Sequence, residues 1–533
     1  MKNIIKKALL IAGFGTFLLS SCDKFLDVNE NPSFPQSASA ELLLPPIVWR
    51  MADGVGQDNR ILFKFTQGMV GSSTSTISLY PERHGYSEAS DLGGVLWRMV
   101  YVDHGKNLQD MIEDGIRNQK YEYVGIGYAI KAWGYQLLTD YHGPIILDEA
   151  LTPGLLRFPY HDQKEVYAKV RVWGDSAIQY LQKVSPVDYS AKLNSTGGDN
   201  LYRGNKQRWI KFIHGLYALQ YSHLVNKSDF PTHYADSVIK YVNLSFEGTA
   251  DDALVKFRAS RSEDSNPYGP QGGYLSSTYY GLVSDVIVKL LTGGMRGTPV
   301  ELPRQKDVVD PRLSVMIQMK DDSTYVGSVI NGGNANLNFT HANGKYEGST
   351  RTGKYIFKDD AGFPIMTYSQ LQFAKAEAYF LKGDKDNAHA SYLEGIRAHF
   401  AFYNTHARAA STPDPVLSQA DITAYLASAD VAQTAADLKL SDIMGQKYIA
   451  QWGWAGVEQW CDIRKYHYSP TVFPMYNQLT GTGIFPNNGG KYAYRVRPRY
   501  NSEYIWNTLE LDKWGALAPD YMTKELWFST SEN

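Results

Sequence analysis

The residue with the most specific chemistry is Cys22, which follows Leu19-Ser20-Ser21 at the end of an apolar run. Small residues before a cysteine let a lipoprotein signal peptidase reach the bond, after which the thiol is acylated and Cys22 becomes the mature N-terminus. One acyl chain holds a protein only marginally at a bilayer, whereas two or more anchor it stably. The only other cysteine, Cys461, lies among Trp460 and Ile463 and reads as a buried, small apolar side chain. Two cysteines also exclude a disulfide framework. The second concentration of chemistry is aromatic. Asn266, Tyr268, Tyr274, Tyr279 and Tyr280 fall in a Gly/Pro-punctuated segment, residues 266–280, where rings can stack on a ligand and amides or hydroxyls can bond it. Rigid scaffolds usually present recognition on loops, so these are the candidate ligand-binding residues. Tyr80 and Arg83, from an earlier loop, are secondary candidates that could face the same cleft. The competing reading is that these rings pin the loops onto the body.

Catalytic patterns are sparse. The chain has no Gly-x-Ser-x-Gly nucleophile elbow and no His-Glu-x-x-His zinc helix. Gly348 to Lys354, GSTRTGK, has the outline of a phosphate loop but is followed by Tyr355 where Mg²⁺ binding needs Ser or Thr. The 12 histidines show no metal-ligand spacing, so no metal or cofactor is expected. Paired carboxylates of a glycosidase are a spatial feature invisible to spacing, which leaves a lipid-anchored hydrolase open as the alternative to a binding protein.

Composition narrows the classes further. With 533 residues, 43% hydrophobic and 20% charged, the chain is globular. Lys+Arg of 53 against Asp+Glu of 55 leaves no electrostatic footprint for nucleic acid. The 38 Tyr outnumber the 21 Phe, so many rings carry a hydroxyl that seeks water, ligand or a polar partner. Residues 1–21 carry Lys2, Lys6 and Lys7 ahead of the apolar run Ala8–Leu19, a secretory leader too short to span a bilayer.

Helical periodicity dominates what must position these residues. Within 124–140, Ile126, Ile130, Trp133 and Leu137 share one face, Gly125, Gly127 and Gly134 permit close packing, and His142-Gly143-Pro144 ends the helix. Residues 207–225 repeat the pattern through Trp209, Phe212, Leu216 and Leu219. Residues 370–400 predict two helices joined by Gly383-Asp384, similar to one tetratricopeptide hairpin, and 442–464 predicts one more helix. Trp133, Trp209 and Trp460 are expected in the core, with Asp462 and Arg464 as an ion pair or helix cap. Segments 66–91, 260–278, 331–354 and 470–490 are long and irregular but keep aromatics, and are expected to be ordered loops. No stretch reads as an interdomain linker, so residues 22–533 are expected to form one domain.

Several segments together resemble the SusD/RagB family of outer-membrane lipoproteins, in particular its starch-binding-associated SusD-like branch. Phe25-Leu26-Asp27-Val28-Asn29-Glu30-Asn31-Pro32 is similar to the family's FLDxNxNP opening. Residues 129–150 resemble its alanine-rich helix followed by LTDxYGxxPxxEA, and Tyr202-Arg203-Gly204-Asn205 ahead of Trp209-Ile210-Lys211-Phe212 resembles its YxGD…WxKF helix start. Asp310-Pro311-Arg312-Leu313, the helix from Tyr368 to Gly383, and Lys447-Tyr448 with Glu458, Trp460, Asp462 and Arg464 follow in family order. Arg495-Val496-Arg497-Pro498 with Glu503 resembles the closing motif. The resemblance implies a mostly α-helical body, an alpha-alpha superhelix of four degenerate tetratricopeptide-like hairpins carrying long loops. It implies a non-enzymatic, lipid-anchored protein of the outer-membrane surface. Such a protein would capture a nutrient, an oligosaccharide or polysaccharide ahead of a peptide, and pass it to a SusC-like TonB-dependent transporter.

Overall fold

Where apolar residues recur on a helical period in 124–140, 207–225 and 370–400, the chain is helical, and four of the longer helices begin on a side chain that caps them. The computed structural model describes residues 38–71, 79–274, 281–296, 310–317, 325–332, 346–347, 350–351, 353–407 and 415–532. Helices of ten residues or more are α1 (Ala40–Phe65), α2 (Gly105–Arg117), α3 (Tyr121–His142), α4 (Gln163–Leu181), α5 (Lys206–Ser222), α6 (Ala235–Leu244), α7 (Tyr368–Lys382), α8 (Lys385–Phe402), α9 (Leu440–Gln451) and α10 (Gly456–Lys465). Asp162, Asn205, Thr367 and Asp384 each accept a backbone N–H from the first turn of α4, α5, α7 and α8. Asn205 caps α5 by accepting the Arg208 N–H on its side-chain oxygen at 3.1 Å.

Successive helices pack on one another: α2 on α3, α3 on α4, α4 on α5, α5 on α6, α6 on α7, and α7 on both α8 and α9. This places the predicted 370–400 hairpin where the sequence has it, with Gly383 at φ +88° in the two-residue turn. Close approach of helices explains two of the α3 glycines. A Cβ on Gly125 would lie 2.5 Å from Leu181 of α4, and one on Gly127 would lie 2.6 Å from Ile112 of α2. Trp133, Trp209 and Trp460 are all buried, in one core cluster that runs from Ala40 to Phe528.

Strands are short. β1 (Met69–Val70) pairs antiparallel with β3 (Leu282–Val283), β2 (Ala253–Val255) with β6 (Phe363–Met366), and β4 (Tyr346–Glu347) with β5 (Thr350–Arg351).

Two expectations are corrected. Residues 442–464 form two helices, α9 and α10, because the chain turns at Trp452–Ala455: Gly453 sits at φ +88° and Trp452 is extended, which buries both Trp452 and Trp454. Asp462 and Arg464 are not paired with each other, since residues two apart on a helix point to different faces. Asp462 instead bonds Lys447 at 2.7 Å and Lys465 at 2.9 Å, while Arg464 donates to the carbonyls of Asp140 and Tyr494.

Candidate functional site

The small β1–β3 sheet gathers loops that are far apart in sequence. Val70, Leu282, Ile330, Leu479 and Ile484 form an apolar cluster of their own, distinct from the main core. Around it converge the turn Pro81–Arg83, the segment 325–332 and the segment 477–492. Glu82 holds them together. It is buried, and its two carboxylate oxygens accept the backbone N–H of Gly71 at 2.8 Å and of Asn331 at 2.7 Å. Burial raises its pKa, against the opposing pull of the Lys64 charge and these two hydrogen bonds. Lys64 is buried nearby and is pushed down to about 8 by the same desolvation.

Above this buried carboxylate the side chains turn outward. Arg83 Nε donates to Asn331 Oδ1 at 3.4 Å, and Asn331 Nδ2 donates to the Gly483 carbonyl at 3.1 Å. The Phe485 N–H donates to the Arg83 carbonyl at 2.7 Å, and the Tyr80 ring meets Phe485 edge-on at 4.9 Å. Tyr80, Arg83 and Asn331 are each half-buried. A flat ring, a guanidinium and a primary amide on one surface suit a hydroxylated ligand: C–H groups pack on the ring while hydroxyls meet N–H donors and the amide oxygen.

His84 anchors this face from below. It has φ +63° and a buried ring stacked on Phe65 at 5.0 Å. Its Nδ1 accepts from the Ala493 N–H at 3.2 Å, so Nε2 carries the proton toward Tyr476 Oη, 3.1 Å away. Burial drops its pKa to about 3. A base whose folded pKa is depressed confers stability that is complete above its unfolded pKa, near 6.5, and is lost as pH falls. Relative to His84→Asn, the parent protein should lose about 1.4 kcal/mol of stability per pH unit between about pH 6 and 4. Parallel denaturation curves would refute this assignment; they are measured for both proteins across that window.

The sequence candidates divide. Tyr80 and Arg83 lie on this face with Asn331 and Phe485. Asn266 and Tyr268 are corrected to packing residues. Asn266 is fully buried, donating Nδ2 to the carbonyls of Ile356 and Ala361 at 2.9 and 3.0 Å and accepting the Tyr268 N–H. Tyr268 is fully buried among Phe63, Phe357 and Phe363. Tyr274 is half-buried, yet its hydroxyl is 2.5 Å from Asp53 and 2.8 Å from Gln57, and Arg60 lies over its ring, so it pins the loop to α1. Tyr279, Tyr280 and Cys22 lie outside the described residues. Glu82 and Asn331 were missed by the sequence reading, and Phe485 was read only as one of the aromatics of the ordered 470–490 loop; the Asn331-Gly332 pair is a turn signal that could have pointed to Asn331.

One buried cluster has metal-ligand types. Ligand atoms of Asp140, His223 and Cys461 lie within 4.8 Å of one another. These groups already serve one another and their neighbours. Tyr167 Oη bridges Asp140 at 2.5 Å and His223 Nδ1 at 2.8 Å, Glu458 takes His223 Nε2 at 3.0 Å, and Arg464 lies 3.1 Å from the Cys461 sulfur. Burial lifts the Cys461 thiol well above its usual range and raises Asp140 to about 7, which marks a core network. No helix among the described residues is long and apolar enough to cross a membrane.

Residues 32–486 match the model of the SusD-like family, described as starch-binding and associating with the outer membrane. No curated protein matches. Among solved structures, a SusD/RagB family protein from Bacteroides thetaiotaomicron is 20% identical, covering 93% of this chain and 100% of its own, with a TM-score of 0.65. A SusD homolog from Bacteroides fragilis is 18% identical over 92% of this chain and 100% of its own, with a TM-score of 0.67. A chitin-binding SusD homolog from Flavobacterium johnsoniae is 17% identical over 92% and 97%, with a TM-score of 0.61. The mostly helical fold expected from the sequence is the fold of these structures.

Proposed function

Since this chain belongs to the SusD-like family, we propose that it is a glycan-capturing protein of the outer-membrane surface. It binds an oligosaccharide or polysaccharide on the face of Tyr80, Arg83 and Asn331 and hands it to a SusC-like TonB-dependent transporter. The observation that carries this reading is the construction of that face. A buried carboxylate, Glu82, is spent on joining loops, and the ring, guanidinium and amide above it are left half-exposed. The family description of starch binding and the chitin-binding relative support the ligand class. The account has residues 1–21 as leader, Cys22 as the acylated mature terminus, residues 22–533 as one domain, and a bilayer contact through the lipid only. It assigns the protein binding and no turnover.

Three measurements test it together. A glycan array run beside a peptide-library pull-down should retain the protein on glycans; retention on peptides alone would replace the ligand class. Incubation with the retained glycan should release no new reducing ends, and sustained release would make the protein a hydrolase. Purification from native membranes in mild detergent should recover a TonB-dependent barrel with it, through an interface well above about 1,000 Å². Elution as a monomer with the barrel intact elsewhere would contradict the partnership.

A further inference from the structure

Arg83 differs from several other half-buried arginines of the chain in what its guanidinium meets. Arg50 ends on Asp53, Arg296 on Asp442 at 3.2 Å and Arg499 on Asp91 at 2.7 Å. Arg83 Nε donates to Asn331 Oδ1 at 3.4 Å, and among the described residues its two terminal amino groups meet no carboxylate and no carbonyl. Glu82, its neighbour in sequence, has both oxygens engaged by backbone N–H groups, and the charges of Lys64 and Arg83 both act on this one carboxylate. Two cations therefore stand against one acid. The Arg83 backbone is also fixed. Its N–H donates to the Tyr80 carbonyl at 3.0 Å, and its carbonyl accepts the Phe485 N–H at 2.7 Å. The guanidinium is thus presented on the same turn as the Tyr80 ring by a backbone that needs little ordering when a ligand arrives.

We propose that Arg83 makes this face selective for an anionic glycan, one whose sugars place a carboxylate or a sulfate on the guanidinium while a ring face packs on Tyr80. The inference rests on the glycan-binding reading above and narrows its ligand. A guanidinium presents paired N–H donors in one plane, at the spacing of two oxygens of such a group, and opposite charges strengthen each of those hydrogen bonds. A neutral chain offers the guanidinium only hydroxyls, and it leaves the excess positive charge of Lys64, Glu82 and Arg83 uncompensated. The C–H face of an acidic sugar still packs on Tyr80, so the ring and the guanidinium act on different parts of one residue of the glycan.

The test is calorimetric titration of the whole mature chain, at low and high salt, with galacturonate and mannuronate hexasaccharides and a sulfated galactan hexasaccharide, against maltohexaose and chitohexaose. The uronates and the sulfated probe separate carboxylate from sulfate as the recognised group. One acidic probe should bind roughly tenfold or more tighter than either neutral one, and high salt should weaken it. Arg83→Gln should weaken that probe roughly ten- to hundredfold with an unchanged melting temperature, because the side chain is half-exposed and Glu82 keeps both of its hydrogen bonds. Arg83→Lys should keep the salt dependence without the full affinity, since one ammonium does not fork. Converting the carboxylates of a bound uronate to alcohols, or removing the sulfates, should cost the parent protein the same factor and cost Arg83→Gln nothing further. A neutral hexasaccharide bound as tightly as any acidic one, or an acidic probe bound alike by the parent and Arg83→Gln, overturns the inference and leaves glycan capture standing. A parent protein that binds none of the acidic probes overturns it as well. Failure of the underlying reading shows separately, as retention on peptides and on no glycan.

Discussion

Arg312→Met should destabilise the fold by about 3–5 kcal/mol, because it strands a buried carboxylate. Arg312 and Asp310, both buried, form a forked pair, with guanidinium nitrogens at 3.0 and 2.6 Å from the two carboxylate oxygens. The same guanidinium donates to His399 Nδ1 at 3.1 Å, Tyr425 Oη at 3.2 Å and Gln446 Oε1 at 2.8 Å, and it lies 5.1 Å from both the Phe400 and Tyr425 rings. Methionine fills the stem volume but leaves the Asp310 charge and these acceptors without their donor. Arg312→Lys should rescue little, since one ammonium cannot span the fork and the side acceptors together. Chemical denaturation measures all three proteins. A loss under about 1 kcal/mol for Arg312→Met would mean that Asp310 is held by something else.

Asp462→Ala should cost a similar amount, about 3–5 kcal/mol, through an excess of positive charge. Glu377 of α7, Lys447 of α9, and Asp462 and Lys465 of α10 form a buried group of two acids and two bases. Asp462 lies within 2.9 Å of both lysines, whereas Glu377 is 2.8 Å from Lys465 but 4.0 Å from Lys447; burial, the largest single influence, opposes it, yet the lysine charges and hydrogen bonds lower the Asp462 pKa. Removing it leaves two ammonium groups against one carboxylate in a space that water does not reach. The double variant Asp462→Leu with Lys447→Met removes one charge of each sign and should recover most of the stability. If the double variant is no better than Asp462→Ala, packing and not charge balance explains the loss. In this chain the DPRL element and the helices with Lys447 and Asp462 carry buried ion groups of the core.

Helices were legible because their evidence is local. Periodic apolar residues and the Gly383-Asp384 turn located α3, α5, α7 and α8. The break between α9 and α10 was not, because Trp452 and Trp454 look equally apolar in a continuous helix, and only their separate burial sites require Gly453 to turn. The candidate binding residues divide along the same line. Aromatic density singled out 266–280, yet a ring that packs and a ring that binds are the same letter, and Tyr268 turned out to pack. Tyr80 and Arg83 were legible as candidates, whereas Asn331 reaches Arg83 across 248 residues of sequence. Glu82 looks like any loop acid until the two loops it joins are seen together.

The account stands most directly on the affinity of Tyr80→Ala for the glycan that the parent protein retains on an array, measured together with its melting temperature. Removal of a half-exposed contact ring should weaken binding by about 1–2 kcal/mol, roughly five- to thirtyfold, with the melting temperature unchanged. Full affinity in Tyr80→Ala, a loss that appears only with unfolding, or a parent protein that retains no glycan would contradict it.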